Sequence, residues 1–394
     1  MSARLQPLED LPPEIVDIVA RLEAAGFETW CVGGALRDRL LSHSSADVDV
    51  ATAAPPDEVL RLFPKTVAVG VKYGTVGVLD RKHVLHEVTT FRRDVATDGR
   101  HAVVEYGASL EEDLARRDFT INALAYHPIR REWCDPFGGA DDIDRGVLRA
   151  VGDPAGRFAE DYLRILRALR FAARFGFEIE AATWTAAIAG APGLRGLSAE
   201  RVREEWLKGL ETARSVARLV SLWQEVGAAA IWIPELSVRS GVAREAPEPR
   251  DPIVLTATLC SDAGEVLTRL RASNSDIGRA RAMGAGPAEP VSGAPVEVRR
   301  WLAQVGGAAE DLRLLAAYRL GADPAWGPIV EGIRERGEPT ARGQLALSGD
   351  DLVRAGVPAG PALGQLLARL LEAVLEDPAL NTRDRLLEKV RAWS

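Results

Sequence analysis

The sequence predicts an α+β fold in which a mixed sheet with helices is followed by helices alone. Three observations support this fold. The first 150 or so residues alternate short apolar runs typical of strands with amphipathic stretches typical of helices. From about Asp153 onward the strand signals fade, and stretches rich in Ala, Leu, Arg and Glu dominate, as they do in helical bundles. A Pro/Gly/Ala-rich interval from Met283 to Pro295 then divides the helical part.

The periodicity predicts the individual elements of the first part in order. Predicted helices cover residues 13–25, 35–41, 56–63 and 110–117, and predicted strands cover residues 28–32, 48–51, 67–69, 75–79 and 84–90. Ser109 and Glu112 form a capping box in front of the last of these helices. After Asp94 we predict a polar loop that contains Asp98, Gly99 and Arg100.

The helical part begins with an arginine-rich block, Glu160 to Arg170. One amphipathic helix is predicted there, and its apolar stripe consists of Tyr162, Ile165, Leu166, Leu169 and Ala172. Asp161, Arg164, Arg167 and Arg170 occupy the other half of that helix. For an isolated helix the simplest interpretation is a solvated face with an Asp–Arg pair at i, i+3. A last amphipathic helix is predicted near residues 383–393.

Composition bounds the function. The chain has 394 residues, enough for two or more buried cores, and its 47% hydrophobic and 27% charged fractions are ordinary for a globular protein. A net charge of −8 argues against a protein that coats nucleic acid non-specifically. Arginine clusters at residues 116–117 and 164–174 still allow nucleic acid to be held in one local basic groove.

Three further observations concern the cellular location. The first residues lack the apolar core of a secretory signal, and no apolar run approaches the roughly 20 residues that a membrane span needs. Cys31, Cys134 and Cys260 are widely separated and build neither a disulfide framework nor a zinc site. We therefore expect a cytoplasmic protein.

The strongest chemical signal is a pair of carboxylates, Asp47 and Asp49. Side chains alternate across a strand, so these two point the same way. Two hard oxygen ligands on one face suit Mg²⁺, which drives phosphoryl and nucleotidyl transfer. Glu87, on a later strand, could ligate metal or polarise an attacking hydroxyl, and a solvent-facing residue is an equal alternative. An Asp-x-Asp pattern alone more often marks a polar strand or turn.

Two blocks could hold an anion. Gly33 and Gly34 follow a predicted strand and open a helix, so backbone N–H groups could receive phosphate, and Arg37 could reach the same anion. Taken alone, the glycine pair is better explained as a tight turn. Arg116 and Arg117 could bind a triphosphate or could merely complement a helix C-terminus.

Taken together and in this order, the blocks resemble the bacterial (class II) tRNA nucleotidyltransferase family, which contains the CCA-adding enzymes and belongs to the DNA polymerase β superfamily. The resemblance is dense from about residue 28 to residue 210. It is carried by the segments 33–38, 47–49, 87–91, 116–123, 135–139, 160–170 and 197–202.

The resemblance implies an architecture and a site. The polymerase-β-like nucleotidyltransferase head would cover residues 1–150, and an all-α neck, body and tail would follow at residues 151–215, 216–290 and 291–394, the tail binding tRNA. Asp47 and Asp49 would hold Mg²⁺, with Glu87 as a further catalytic carboxylate. The nucleotide would be bound by Gly33, Gly34, Arg37, Arg117, Asp161, Arg164, Arg167 and Arg170.

The resemblance also implies that Asp161 and Arg164 read the incoming base without a nucleic-acid template. Cytosine and adenine both place an amino donor beside an unprotonated ring nitrogen, so a carboxylate can accept from the first and a guanidinium can donate to the second. Guanine and uracil invert that pattern and would leave both protein groups mispaired.

The expected reaction is attack of the tRNA 3′-hydroxyl on the α-phosphate of CTP or ATP, with release of pyrophosphate and no obligate protein partner. The segment Asp98 to Arg100 favours addition of all three nucleotides, although its loop looks slightly shorter than the family's. An A-adding or CC-adding enzyme stays open, and a poly(A) polymerase is less favoured because no strongly basic C-terminal extension is present. An inactive RNA-binding module or a small-molecule nucleotidyltransferase would not require both the Asp-x-Asp and the Glu160–Arg170 block.

Overall fold

The computed structural model describes residues 5–42, 48–70, 74–97, 102–237 and 250–393. The chain divides into two compact units, Met1–Ile231 and Trp232–Ser394. The predicted α+β fold is confirmed, because a mixed sheet with helices forms in the N-terminal part and most of the remainder is helical. The finer division into head, neck, body and tail stays a prediction.

The first unit contains a seven-stranded mixed sheet. The seven strands are β1 Thr29–Val32, β2 Asp49–Thr52, β3 Thr66–Gly70, β4 Thr75–Leu79, β5 Leu85–Thr90, β8 Ala125–His127 and β9 Glu132–Cys134. They lie in the order β3-β4-β5-β2-β1-β8-β9, and neighbouring strands are antiparallel except for the β2–β5 pair, which is parallel. Two smaller pairs are β6 Arg92–Thr97 with β7 Ala102–Tyr106, and β10 Val147–Leu148 with β11 Glu178–Ile179.

The helices of the first unit cover the sheet and then continue the chain. They are α1 Pro13–Ala24, α2 Gly34–Leu40, α3 Pro56–Leu62, α4 Leu110–Ala115, α5 Gly139–Arg145, α6 Pro154–Glu160, α7 Leu163–Phe175, α8 Ala181–Gly190, α9 Ala199–Thr212 and α10 Val216–Glu225. A short helix, α11 Ala228–Trp232, stands at the boundary of the two units. The capping box at α4 is confirmed, since Ser109 accepts from the Glu112 N–H and the Glu112 carboxylate accepts from the Ser109 N–H.

The two faces of the sheet bury different side chains, and this alternation places Asp49. Cys31 and Val50 pack into a core with α1 and α3, whereas Trp30 and Ala51 pack into a second core on the opposite face. Because residues two apart on a strand share a face, Asp49 lies on the same face as Ala51. The sheet therefore presents its carboxylate on the face away from α1 and α3.

The second unit is helical in the residues that the structure describes. Its helices are α12 Pro252–Leu259, α13 Ala263–Arg269, α14 Asn274–Gly284, α15 Pro295–Val305, α16 Ala309–Leu320, α17 Gly327–Glu335, α18 Gly349–Arg354, α19 Pro361–Glu376 and α20 Arg383–Trp393. Between α14 and α15, where the sequence has its Pro/Gly/Ala-rich interval, residues 285–294 form no helix or strand. Among the described residues, no helix has both the length and the apolar character that a membrane span requires.

Two sequence predictions were wrong. Where a polar loop was predicted after Asp94, residues up to Thr97 and from Ala102 belong to the antiparallel pair β6–β7, because the two segments satisfy each other's backbone N–H and C=O groups. Asp98, Gly99 and Arg100 lie outside the described residues. The helix predicted from Glu160 begins at Leu163 instead, because Asp161 has an extended backbone, at φ −157° and ψ 105°, and its carboxylate accepts from the Leu163 N–H.

The segment Asp135 to Gly139 has a structural role at the start of α5. The Asp135 carboxylate accepts from the backbone N–H groups of Gly139 (2.7 Å) and Ala140 (3.0 Å). A Cβ atom at position 139 would clash with the Thr120 carbonyl oxygen, which is a backbone atom and cannot move aside at low cost. This part of the sequence therefore fixes α5 against the segment that carries Thr120.

Gly139→Ala is expected to lower the free energy of unfolding by about 3 kcal/mol, because the added methyl group overpacks a backbone contact. The measurement is urea unfolding of the full chain. Gly278→Ala is the control, since position 278 lies within α14 and a Cβ there meets nothing within 4 Å. The control should be neutral or slightly stabilising, because alanine is the better helix former. Equal stabilities of the two variants would contradict the expected clash.

Candidate active site

One cavity of about 540 Å³ in the first unit brings together most of the predicted site residues. Those that line it are Gly33, Gly34, Arg37, Asp49, Arg117, Asp161, Arg164, Arg167 and Arg170. The sequence did not single out a role for several others that line it, among them Asp118, Asn122, Phe171, Arg174, Arg201 and Lys208. Asp47 lies outside the described residues.

Asp49 stands at the start of β2, directly beside the end of β1. In the strand register Val32 is opposite Asp49, so the glycine that follows Val32 lies next to the carboxylate. Gly33 has φ +90°, and a Cβ atom there would come within 2.7 Å of Asp49 Oδ2. Any other residue at position 33 would therefore be strained and would fill the space beside the carboxylate.

Glu87 lies on β5, the strand parallel to β2. Val50 is opposite Val88, so Asp49 and Glu87 both precede a paired residue and share one face of the sheet. The Glu87 side chain is exposed and is not among the residues that line the cavity. This position fits a carboxylate that acts beside Asp49, and it fits a solvent-facing strand residue equally well.

Arg37 is a buried guanidinium, 4% exposed, that projects from α2. It donates from Nε (2.9 Å) and Nη2 (2.7 Å) to Asp38 Oδ1, and from Nη1 to the side-chain carbonyl of Asn122. Burial lowers the pKa of Arg37, whereas the charge of Asp38 and its hydrogen bond raise it. The side chain remains a cation at neutral pH, as arginine does throughout proteins.

Arg116 and Arg117 follow α4 and share a buried partner. Asp113 is 1% exposed; it accepts from Arg116 Nη2 at 2.8 Å and from Arg117 Nη2 at 3.4 Å. Burial lowers the pKa of Arg117, and the carboxylates of Asp113 and Asp49 act in the opposite direction. Both arginines also line the cavity, so they face the site while their side chains pair with Asp113 of α4.

Asp118 connects the segment after α4 to the arginine-rich helix α7. Its Oδ2 atom accepts from Arg167 Nε (2.8 Å), and its Oδ1 atom accepts from Asn122 Nδ2 (2.9 Å) and from the Phe119 N–H (2.9 Å). Burial raises the pKa of Asp118, but the charge of Arg167 and the three hydrogen bonds lower it by more. The pKa of Asp118 therefore lies below its ordinary value. Because Asn122 also accepts from Arg37, one amide side chain links α2 to this network.

Asp161 and Arg164 both line the cavity but do not pair with each other through their side chains. Asp161 Oδ2 accepts from Arg201 Nη2 at 2.6 Å, while Arg164 Nη1 donates to Glu160 Oε2 at 2.6 Å. Arg164 Nη2 also donates to the Arg116 carbonyl at 3.1 Å. The i, i+3 side-chain pair considered for an isolated helix does not form. Arg164 instead has one partner four residues earlier and one before the helix, and Asp161 has its partner on α9.

Arg170 is held from the opposite side by α9. It is 3% exposed, and its Nε atom donates to Glu205 Oε2 at 2.5 Å. Glu205 is itself 7% exposed. This ion pair is therefore buried, and Glu205 Oε1 also lies 3.8 Å from Arg167 Nη1.

The cavity is strongly basic although the whole chain carries a net charge of −8. Eight arginines and Lys208 line it against three carboxylates, those of Asp49, Asp118 and Asp161. A cluster of guanidinium groups offers many N–H donors with a geometry suited to phosphate oxygens. The site can therefore hold a multiply charged anion such as a triphosphate beside the Asp49 carboxylate.

Comparisons with known proteins agree with this chemistry. The family of the poly A polymerase head domain matches residues 29–149, and the family described as "Probable RNA and SrmB- binding site of polymerase A" matches residues 176–239. The CCA-adding enzyme of Leuconostoc mesenteroides subsp. mesenteroides is 35% identical over 96% of this chain and 96% of its own. This chain belongs to the CCA-adding enzyme family. The family resemblance drawn from the sequence is confirmed, and the chain is a nucleotidyltransferase.

Other members of the family support the assignment over the full length. The CCA-adding enzyme of Geobacillus kaustophilus (strain HTA426) is 36% identical over 97% of this chain and 96% of its own. The crystal structure of the Bacillus stearothermophilus CCA-adding enzyme in complex with CTP is 31% identical, covers 98% of this chain and 99% of its own, and superposes with a TM-score of 0.77.

Several of the cavity residues whose roles were not predicted stand in or near segments that the sequence had singled out. Asp118 and Asn122 stand inside the segment 116–123, which already carried the resemblance. Arg174 follows Arg170 by one helical turn, and Arg201 lies in the segment 197–202. No comparable signal existed for Lys208, since a single lysine on an amphipathic helix is ordinarily a solvated residue.

Proposed function

We propose that this chain adds C, C and A to the 3′ end of tRNA from CTP and ATP, without a nucleic-acid template. The observation that carries the proposal is the cavity in which Asp49 and the pair Asp161 and Arg164 occur together among eight arginines. Relatives that match nearly the whole chain are CCA-adding enzymes, one of them solved in complex with CTP. A tRNA substrate also supports a cytoplasmic location.

Two groups of residues have separate tasks in this proposal. Arg37, Arg117, Arg167 and Arg170, with the backbone of Gly33 and Gly34, bind and orient the triphosphate. Asp161 accepts from the exocyclic amino group of cytosine or adenine, and Arg164 donates to the neighbouring ring nitrogen. The contact with Arg201 holds one Asp161 oxygen in place and leaves lone pairs for the base.

The donor set fits a divalent metal ion. Asp49 offers hard carboxylate oxygens, and the absence of a side chain at Gly33 leaves room beside Oδ2. Asp49, together with Asp47, would hold Mg²⁺, which when bound lowers the pKa of an attacking hydroxyl and offsets charge on the phosphates. Glu87 shares the sheet face of Asp49 and would assist there as a third carboxylate.

The chemical step needs no covalent protein intermediate. The tRNA 3′-hydroxyl gives up its proton to water, and its oxygen forms a bond to the α-phosphorus of CTP or ATP. The bond from that phosphorus to the oxygen that bridges to the β-phosphate breaks, and pyrophosphate leaves. The arginines stabilise the charge on the departing pyrophosphate, and the nucleotide pocket keeps the α-phosphate in line with the attacking oxygen.

The test uses three tRNA transcripts. The first lacks the whole CCA end, the second ends after the first C, and the third ends after the second C. Each is offered CTP, ATP or both, and the products are resolved at single-nucleotide length. We expect two C residues and then one A on the first transcript, and A alone on the third. Addition of only C or only A would reduce the proposal to a CC-adding or A-adding enzyme, and long A tails would favour a poly(A) polymerase.

A further inference from the structure

One phenylalanine of α7, Phe171, lies among the arginines of the cavity. Its ring centroid is 5.0 Å from the guanidinium carbon of Arg37, 5.2 Å from that of Arg167 and 4.2 Å from that of Arg170. These distances are within the range of cation–π attraction. One ring therefore contacts three of the cations to which we assign the triphosphate.

A second ring, Phe175, extends this arrangement by one helical turn. It is stacked on Phe171, with centroids 5.9 Å apart and ring planes at 11°. Arg37 lies 4.8 Å from its centroid and Arg174 lies 4.9 Å from it. Arg37 of α2 is thus in contact with two aromatic rings of α7.

The rings are fixed by their own neighbours. Phe171 is 4% exposed, and Phe119 packs against it edge to face, with centroids 5.9 Å apart and planes at 87°. Phe119 is fully buried and directly follows Asp118, the carboxylate that binds Arg167. The ring of Phe171 is therefore tied to the same network that it helps to position.

An aromatic ring can hold several guanidinium groups close together without adding negative charge, which a carboxylate cannot do. Several guanidinium groups close together repel one another, and each added carboxylate would relieve that repulsion but would also repel a triphosphate. The face of a benzene ring attracts cations through its quadrupole and carries no net charge. Each of the three arginines already donates to a carboxylate, those of Asp38, Asp118 and Glu205. The ring face takes none of their remaining N–H groups, which stay available to phosphate oxygens.

We propose that Phe171 is a positioning residue for the triphosphate of the incoming nucleotide. It acts through Arg37, Arg167 and Arg170, which it holds near one another without adding negative charge. The proposal rests on the triphosphate role assigned above to these arginines. Because CTP and ATP share the triphosphate, the effect of Phe171 is the same for both nucleotides and does not touch base selection.

The experiment compares three variants of the full chain: Phe171→Leu, Phe171→Tyr and Phe158→Leu. Phe158, in α6, is 1% exposed and is not one of the rings that these arginines contact, so its variant reports the loss of a buried ring alone. Equilibrium titration without tRNA measures Kd for CTP and for ATP. Initial rates with CTP and with UTP on a transcript that lacks CCA measure base selection, and thermal unfolding controls for stability.

Phe171→Leu is expected to raise Kd for CTP and ATP by the same factor, about tenfold, as loss of a desolvated cation–π contact implies. The preference for CTP over UTP should be unchanged. Phe171→Tyr keeps the ring face and should restore Kd to within about threefold of the wild type. Phe158→Leu should lower stability and leave Kd unaltered.

Equal effects of Phe158→Leu and Phe171→Leu on Kd would overturn the positioning role, as would a Tyr variant no better than Leu. A change confined to one nucleotide would overturn it too, because the ring would then act on the base. The wild-type chain reports separately on the proposed function. If it binds and adds nucleotides while Phe171→Leu behaves normally, only the role of Phe171 is lost.

Discussion

Asp49→Ala is expected to lower the rate of nucleotide addition by roughly 10³-fold, equivalent to about 4 kcal/mol of transition-state stabilisation, because it removes a proposed ligand of the catalytic metal. The loss should be the same with CTP and ATP, since Asp49 does not contact the base in this proposal. The measurement is single-turnover addition to a tRNA transcript that lacks CCA, at saturating nucleotide and Mg²⁺.

Asp57→Ala is the matched control for this variant. Asp57 is an exposed residue in the first turn of α3, on the helix that packs against the other face of the sheet. Its rate of addition should equal that of the wild type. An Asp49→Ala variant that retained a rate within tenfold of the control would remove Asp49 from the chemistry.

Glu205→Ala is expected to produce the largest loss of stability among the substitutions considered. It leaves the Arg170 guanidinium, which is 3% exposed, without the carboxylate that accepts from its Nε atom. Breaking a buried ion pair from one side costs about 3–5 kcal/mol, because an uncompensated charge remains in the interior. Urea unfolding, with the midpoint and slope fitted together, measures the change.

Two further variants show whether burial is the cause. Glu58→Ala breaks the exposed pair with Arg61 and should have a much smaller effect, because water and salt screen that pair. The double variant Glu205→Leu with Arg170→Met replaces both buried charges by apolar groups and should recover most of the stability. Equal free energies of unfolding for Glu205→Ala and Glu58→Ala would show that the buried ion pair contributes no more to stability than the exposed one.

Much of the fold could be predicted because local patterns and tertiary structure agree. The predicted strand 28–32 and the predicted helix 13–25 appear as β1 Thr29–Val32 and α1 Pro13–Ala24, because a short apolar run and an amphipathic period are local signals. The pair β6–β7 was missed because the charged residues at the start of β6 and the polar composition of residues 98–100 are typical of a loop. Each of the two segments becomes a strand by pairing with the other, and the pattern of one segment taken alone does not show that pairing.

The site was predicted one residue at a time, but its connections were not. The sequence supplied Asp49, Asp161 and the arginines, and the cavity contains them. It did not indicate that Arg201 binds Asp161 across 40 residues or that Arg167 binds Asp118 across 49. Periodicity describes which residues share a helix face, and it carries no information about which distant side chain meets that face.

The central claim is a division of labour, in which Asp49 serves the chemistry and Asp161 with Arg164 selects the base. Single-turnover addition of CTP and of UTP by the wild type, Asp49→Asn and Asp161→Asn tests it most directly. An asparagine at position 161 could donate to the uracil carbonyl, so the preference for CTP over UTP should fall about 10- to 100-fold, the worth of one base-reading contact. Asp49→Asn should slow both nucleotides equally and keep the preference. If Asp161→Asn kept the wild-type preference, or if Asp49→Asn altered it, the division would be contradicted.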